Sequence, residues 1–341
     1  MVGSALKQKS PQSKFLYIGS LRKGDRELVE AAGFKFIGIP AGKWRRYFDL
    51  RNLIDLLAGT LGVVVAFGVI LFFWPHRVFI KGGFVGVPVG MAAWLLRRPI
   101  ILHESDAVMG VANRILAKLA QKICVSFPLN CYNLPAAIKA KMVYTGVPIN
   151  DAFWGNGTGK LDIELSDKLP LILIIGGSQG ARAINRIVKE VMADLATEYE
   201  VVHLSGKLDF NAMQNWAKES KMKNYHLLAS LPNEQVAALM KRAYLVISRA
   251  GATALAEIAA GGKPAILIPL PGSASNHQYL NAKYFANQGA AILIEQASAA
   301  PKLLINQIHQ IAQTDLGDQL KKNIVKLATR NAAQVIADVL L

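Results

Sequence analysis

A chain of 341 residues is long for one core, so two domains are expected. With 52% hydrophobic and 18% charged residues it is not a disordered chain, and Cys124 and Cys131 are too few for a disulfide framework or a zinc site. The net charge of +16 is uneven: residues 1–150 hold 20 Lys and Arg against 7 Asp and Glu, the remainder 19 against 16.

That imbalance points to an anionic partner for the N-terminal half. No RNP-like aromatic motif, helix-turn-helix or zinc finger accompanies it, so no nucleic acid is expected and an anionic membrane surface is the remaining candidate. Apolar runs at residues 14–18 and 35–39 are the first strand candidates. Residues 53–74, LIDLLAGTLGVVVAFGVILFFW, carry no charge from Leu56 to Trp74, which is nearly enough to cross a bilayer. Their flanks are basic and aromatic, with Lys43, Trp44, Arg45, Arg46, Tyr47 and Arg51 before them and His76, Arg77 and Lys81 after. Because residues 77–83, RVFIKGG, read as the next strand and a Gly-rich turn, this helix must also pack on a sheet. One face on the core and one on the membrane surface meets both demands, with Trp44, Arg45, Arg46, Phe72, Phe73 and Trp74 touching lipid. A spanning helix and a wholly buried helix are the alternatives.

Further strand candidates at residues 100–102, 123–125 and 142–145 alternate with helical segments, as parallel βαβ units do. Residues 151–168, with Gly155, Gly157 and Gly159, are the clearest linker-like shift, and the doubly wound pattern restarts after them. Residues 169–187, LPLILIIGGSQGARAINRI, are the most informative stretch: a continuously apolar strand feeds Gly176, Gly177 and Gly180, and a helix opens directly behind. Glycines let the backbone approach a ligand, and the free N–H groups of the helix start attract an anion such as a nucleotide diphosphate. The order G-G-S-Q-G is neither a P-loop nor the dinucleotide fingerprint, and a tight turn with glycines for packing only is the alternative. Residues 244–269 repeat the design, with a strand to Ser248, a turn at Arg249, Ala250 and Gly251, and a helix carrying Glu257, whose carboxylate could accept both hydroxyls of a ribose. His277, Gln278 and Asn281 then supply hydrogen-bonding groups suited to sugar hydroxyls. No apolar h-region precedes a cleavage site, so the cytoplasm is the expected compartment.

The strings KGGFVGVP (81–88), HESDAVMGVANR (103–114), VSFP (125–128), GGSQGARAIN (176–185), SRAGATALAEIAAGGKPAILIP (248–269) and NHQYLNA (276–282) together resemble the MurG family. Its members are UDP-N-acetylglucosamine:muramoyl-pentapeptide pyrophosphoryl-undecaprenol N-acetylglucosaminyltransferases of peptidoglycan synthesis. The resemblance implies an α/β GT-B fold, two Rossmann-like doubly wound domains facing a cleft, with no metal and no cofactor. Residues 1–150 would be the acceptor and membrane domain, 151–168 a linker and 169–341 the UDP-sugar domain, its last helix a candidate to return to the first domain. It implies donor contacts from Gly177, Ser178, Gln179, Gly180, Arg249, Ala252, Glu257, His277 and Gln278. On the acceptor side it implies Gly82, Gly83, Gly86 and Asn113, with His103, Glu104 and Asp106 lining the cleft.

One departure stands out. The family opens with a strand and a G-G-[TS]-x-G-H loop whose His is the leading candidate for the base, whereas residues 1–9 fall within the first helix that follows. The first strand of the N-terminal domain is therefore expected to be missing, and Asp106 is the substitute base among the residues present. Asn150 in TGVPIN, where many relatives carry Arg, is a smaller departure. The implied reaction moves N-acetylglucosamine from the UDP-sugar to the 4-hydroxyl of an undecaprenyl-linked muramoyl-pentapeptide, with inversion, at the cytoplasmic face of the membrane. A catalytically impaired copy that keeps UDP-sugar and membrane binding, or another GT-B enzyme using the same donor, stay open, as does the oligomeric state.

Overall fold

The computed structural model describes residues 1–21, 24–42, 51–155, 159–161, 163–177 and 180–341, with the backbone alone for 51–54. The chain forms two compact units, Met1–Gly146 with Asn331–Leu341, and Val147–Arg330.

In the first unit the helix Val2–Lys9 leads into β1 (Leu16–Ser20), which pairs in parallel with β2 (Lys35–Ile39). The first strand runs two residues past the apolar run at 14–18, because Gly19 and Ser20 pair with Gly38 and Ile39 and ladder bonds override their low strand propensity. A second parallel sheet holds β3 (Val78–Ile80), β4 (Ile100–Glu104), β5 (Lys122–Val125) and β6 (Met142–Tyr144), in that order. All five residues of β4 are buried, as in a strand covered on both faces. The two sheets share no ladder. In a doubly wound sheet of order 3-2-1-4-5-6, β2 and β1 hold the third and second places and β3 the fourth. No described strand pairs with both β1 and β3, as the first strand of that order does.

The helix Arg51–Phe73 presents two different apolar faces. Gly62, Ala66 and Ile70 recur every four residues and are buried, so one stripe faces the protein. A Cβ on Gly62 would lie 2.2 Å from the Pro40 carbonyl oxygen, so only glycine permits this close approach. The other stripe is open to solvent, with Leu57 65%, Val64 64% and Phe72 90% exposed. At the chain's end Ala332–Leu340 packs on Val2–Lys9, burying Ile336 and Leu340 with Ile101 and Cys124, and Arg77 Nη1 donates to the Leu340 carbonyl at 2.7 Å.

The second unit holds β7 (Leu171–Ile175), β8 (Glu200–Leu204), β9 (Tyr225–Leu228), β10 (Ala243–Ser248), β11 (Ala265–Leu267) and β12 (Ile292–Leu293), all parallel in the order β12-β11-β10-β7-β8-β9. Counted from β7, this is the complete doubly wound order, and it reverses direction between β7 and β10. Residues 151–168 do not behave as a free linker. Asn150 caps the turn Asp151–Trp154 by accepting from the Ala152 N–H at 2.9 Å and donates to Glu234 at 3.3 Å, while Phe153 is buried. Gln235 donates to the Lys160 carbonyl at 2.9 Å, and Arg242 reaches Ser166 and Asp167. The described residues of the segment that make these bonds are therefore docked on the helix Asn233–Arg242, and the change of unit falls at Gly146.

Candidate active site

In the second unit the predicted donor residues Gly177, Gly180, Arg249, Ala252 and Glu257 follow β7 and β10, the two strands that flank the sheet's reversal, and His277 and Gln278 follow β11. Gly176 follows β7, and its N–H donates to the Leu204 carbonyl at 3.2 Å, pinning the loop's first residue to the end of β8. Gly177 and Gly180 both have φ of 85°, a left-handed conformation that costs a residue with a Cβ about 1–2 kcal/mol. At Gly180 a Cβ would also lie 2.5 Å from the Ser205 carbonyl oxygen. The helix Arg182–Glu198 starts behind this loop and turns its free N–H groups toward it. Ser178 and Gln179 lie outside the described residues.

Arg249, predicted to border the nucleotide, is instead a brace. Its guanidinium is nearly buried and donates to the Ile268 carbonyl at 2.9 Å and to Gln296 Oε1 at 2.8 Å, and burial pulls its pKa below the usual arginine range. Asn281, fully buried, donates to the Ala250 carbonyl at 3.1 Å, so helix His277–Asn287 holds the turn after β10 from the other side. Ala252 begins helix Ala252–Gly261. Glu257 on that helix is half-buried, and no described residue donates to its carboxylate. Burial alone pushes its pKa up to about 7. Ser275 and Asn276 have φ of 56° and 55°, a sharp turn that delivers His277 and Gln278. His277 Nδ1 donates to the Ala274 carbonyl at 2.7 Å and Gln278 Oε1 accepts from the Leu270 N–H at 3.0 Å, and no described residue bonds Nε2 of either side chain.

In the first unit the predicted acceptor residues lie at the carboxyl ends of β3 and β4. Gly82 and Gly83 have φ of 94° and 83°, and the Gly86 N–H donates to the Gly83 carbonyl at 3.1 Å as the helix Gly86–Leu95 starts. A Cβ on Gly82 would lie 3.2 Å from Asn113 Nδ2, so the turn rests on that amide. Asn113 Nδ2 donates to the His103 carbonyl at 3.1 Å and to Glu104 Oε2 at 2.9 Å. Glu104 also accepts from the N–H groups of Asp106 (3.1 Å) and Gly110 (2.9 Å), so its carboxylate clamps the loop after β4. Burial raises its pKa, opposed by these donors. His103 is fully buried, its Nε2 3.2 Å from both the Gly146 carbonyl and Ser126 Oγ, and burial lowers its pKa to about 4. His103 Nδ1 and Asn113 Oδ1 are buried acceptors to which no described residue donates. Of the three predicted catalytic side chains, two are thus buried braces, and Asp106 alone is half-exposed.

Of the predicted lipid-contacting residues, Phe72, Phe73 and Trp74 are 90%, 36% and 52% exposed, with Arg98 stacked 4.3 Å over the Trp74 ring. Trp44, Arg45 and Arg46 lie outside the described residues.

Two family models match the chain: the glycosyltransferase family 28 N-terminal domain over residues 2–125 and the family 28 C-terminal domain over residues 171–339. A curated UDP-N-acetylglucosamine–N-acetylmuramyl-(pentapeptide) pyrophosphoryl-undecaprenol N-acetylglucosamine transferase from Treponema pallidum (strain Nichols) is 35% identical over 332 residues, covering 95% of this chain and 86% of the relative. A second transferase of the same name, from Bacillus cereus (strain ATCC 10987), is 37% identical over 94% of this chain and 89% of its own length. The chain belongs to this transferase family. Among solved structures, Acinetobacter baumannii MurG superposes with a TM-score of 0.74 at 26% identity, covering 99% of this chain and 94% of that one. The calicheamicin glycosyltransferase CalG4, at 12% identity and a TM-score of 0.71 over 99% and 93% of the chains, shares the GT-B fold.

Membership explains why the motif residues fall at strand ends, but several polar residues behind the family's loops escaped the sequence reading. Asn185, His203, Asp209 and Tyr225 form one hydrogen-bonded line in the second unit. The signal was present: His203 interrupts an otherwise apolar strand, and a buried polar side chain must be partnered.

Proposed function

We propose that this protein transfers N-acetylglucosamine from its UDP-sugar to the 4-hydroxyl of the muramoyl sugar of undecaprenyl-diphospho-muramoylpentapeptide, with inversion at the anomeric carbon. One observation carries the reading: the glycine cradle and the helix bearing Glu257 follow β7 and β10, the strands on either side of the point where the second sheet reverses direction. Ligands of doubly wound sheets bind outside the strand ends at that point. The cradle and the N-terminus of helix Arg182–Glu198 would hold the diphosphate, and Glu257 would accept from the ribose hydroxyls. His277 and Gln278, through their remaining Nε2 atoms, would meet the sugar.

The acceptor oxygen attacks C1, the bond from C1 to the diphosphate oxygen breaks, and UDP leaves with the electron pair. Preoriented N–H dipoles at the helix start stabilise the charge that develops on the diphosphate. The acceptor proton passes to a base, and Asp106 is the half-exposed carboxylate on the loop after β4. Gly82 and Gly83 would hold the lipid diphosphate through backbone N–H groups, with Gly86 opening the helix behind them and Asn113, whose amide hydrogens bond His103 and Glu104, supporting the turn. The open stripe of Leu57, Leu61, Val64 and Phe72, with the basic excess of residues 1–150, would seat the protein peripherally on the anionic cytoplasmic face of the membrane.

Mass spectrometry of the protein with UDP-N-acetylglucosamine and the lipid-linked acceptor tests the reaction, a glycosylated lipid being the expected product. A second reading, a donor-binding protein without transferase activity, draws on the burial of His103 and Glu104, two of the three predicted catalytic side chains. Saturable donor binding with no glycosylated lipid would favour it over transfer.

A further inference from the structure

A line of polar side chains runs through the second unit without touching any residue assigned to the donor. The Tyr225 hydroxyl is 2.9 Å from His203 Nδ1, and His203 Nε2 is 3.0 Å from Asn185 Oδ1. Asn185 Nδ2 donates to the Ser205 carbonyl at 3.1 Å and to Asp209 Oδ2 at 2.9 Å, and Arg182 Nε donates to Asp209 Oδ1 at 3.1 Å. The direction of every bond is fixed. Both partners of the Asn185 nitrogen are pure acceptors, so its oxygen must face His203 and accept from Nε2–H. His203 Nδ1 then carries a lone pair, and Tyr225 donates to it. His203 is fully buried, and burial lowers its pKa to about 3, so this one neutral tautomer persists at any pH where the protein works.

The line ends where the cradle begins. Asn185 lies in the first turn of helix Arg182–Glu198, whose N-terminus would face the diphosphate. It grips the same Ser205 carbonyl against which Gly180 rests, and Gly176 is bonded to the preceding residue, Leu204. One side chain therefore sets the helix start and the backing of the loop together. On the reading that this loop binds the donor diphosphate, we infer that Asn185, held by His203 and Tyr225 on one side and by Asp209 on the other, is the positioning residue that preorganises the phosphate cradle. Preorganised dipoles act only while their aim is kept, and a misplacement of about 1 Å is enough to lose about a hundredfold in rate.

The test compares wild type with Asn185→Asp, with the swap Asn185→Asp/Asp209→Asn, and with Tyr225→Phe. UDP-N-acetylglucosamine affinity is read by calorimetry, amide exchange of Gly180 and Ala181 by hydrogen–deuterium exchange without ligand, and unfolding by circular dichroism. Asn185→Asp sets two carboxylates face to face, and about a tenfold loss of affinity with about tenfold faster exchange of the two amides is expected. The swap restores a donor between positions 185 and 209 without adding charge, though not the one to the Ser205 carbonyl, and should recover the part of both effects that repulsion between the two carboxylates causes. Tyr225→Phe, two links from the loop, should weaken binding about two- to fivefold by leaving His203 Nδ1 without its donor. Lowered melting temperatures with unchanged affinity and unchanged loop exchange would reduce the line to a structural one and overturn the inference. If wild type bound no UDP-N-acetylglucosamine, the donor reading would fail, while the exchange measurements would still decide whether Asn185 orders the loop.

Discussion

Glu257 gives the donor reading its sharpest test, because its carboxylate is half-buried, receives no hydrogen bond from a described residue and has its pKa pushed from an ordinary 4.5 to about 7. In the free protein a raised pKa means that folding favours the protonated form. Its stabilising contribution is complete below the unfolded value of 4.5 and is lost as the pH rises through about 7. Ribose hydroxyls reverse the balance, since donation to an ionised carboxylate stabilises the charge and draws the pKa back down. Donor affinity should therefore rise with pH up to about 7 and level off above it. If the bound carboxyl returns to its ordinary value, affinity falls about 20-fold, or about 1.8 kcal/mol, between pH 7.5 and 5.5. Calorimetry should use UDP-N-acetylglucosamine, because the terminal phosphate of free UDP itself titrates at about 6. Glu257→Gln should bind more weakly at pH 7.5 and show no slope, and Glu257→Ala should lose at least about tenfold there. A flat wild-type profile, or unaltered affinity in Glu257→Ala, would refute a ribose-binding role and leave Glu257 a helix charge without a ligand.

Gly180→Ala forces a Cβ to within 2.5 Å of the Ser205 carbonyl at a φ of 85°, so the strain of about 1–3 kcal/mol should appear as a lower melting temperature together with loss of donor binding in calorimetry. Glu104→Gln withdraws one acceptor oxygen from a clamp that receives three N–H groups, and should lower stability by about 1–3 kcal/mol in urea titration with donor affinity unchanged. Asp106→Asn should cut turnover at least about a hundredfold without changing donor affinity, and an unchanged rate would remove Asp106 as the base. Anionic vesicles should recruit the protein and high salt release it. Leu57→Asp should weaken recruitment by about 1.5–3 kcal/mol, and Arg45→Glu with Arg46→Glu by about 1 kcal/mol or more per residue, whereas resistance to salt and carbonate would mean a spanning helix.

The sequence made some of this legible and hid the rest for identifiable reasons. β7 and its cradle were readable because a buried parallel strand must be continuously apolar and left-handed turns select glycine, both of which are local facts. The two stripes of helix Arg51–Phe73 were readable in outline, since no single buried face accounts for so many apolar residues, although only packing shows that Gly62, Ala66 and Ile70 form the inner one. Residues 151–168 misled because glycine and charge describe a segment's own conformational freedom, not its partners. Asn150 and Lys160 find theirs on a helix some eighty residues later. β8 and β9 carry Glu200, His203 and His226 within short apolar runs, which blurs a purely hydropathic reading.

Roles diverge further than motifs do, because a motif fixes residue type while the surroundings fix how much hydrogen-bonding capacity is left. Arg249, Asn281 and Glu104 stand in matched segments and spend polar atoms on nearby backbone or side chains, as does Nε2 of His103. Glu257, and Nε2 of both His277 and Gln278, stand in the same segments with no hydrogen bond to a described residue. An unpartnered carboxylate in a half-buried setting is costly to keep in a free protein, and a ligand that donates hydrogen bonds relieves that cost. The spent groups therefore hold the strand-end turns in shape, and on the proposed function the others are where a nucleotide sugar would gain its binding energy.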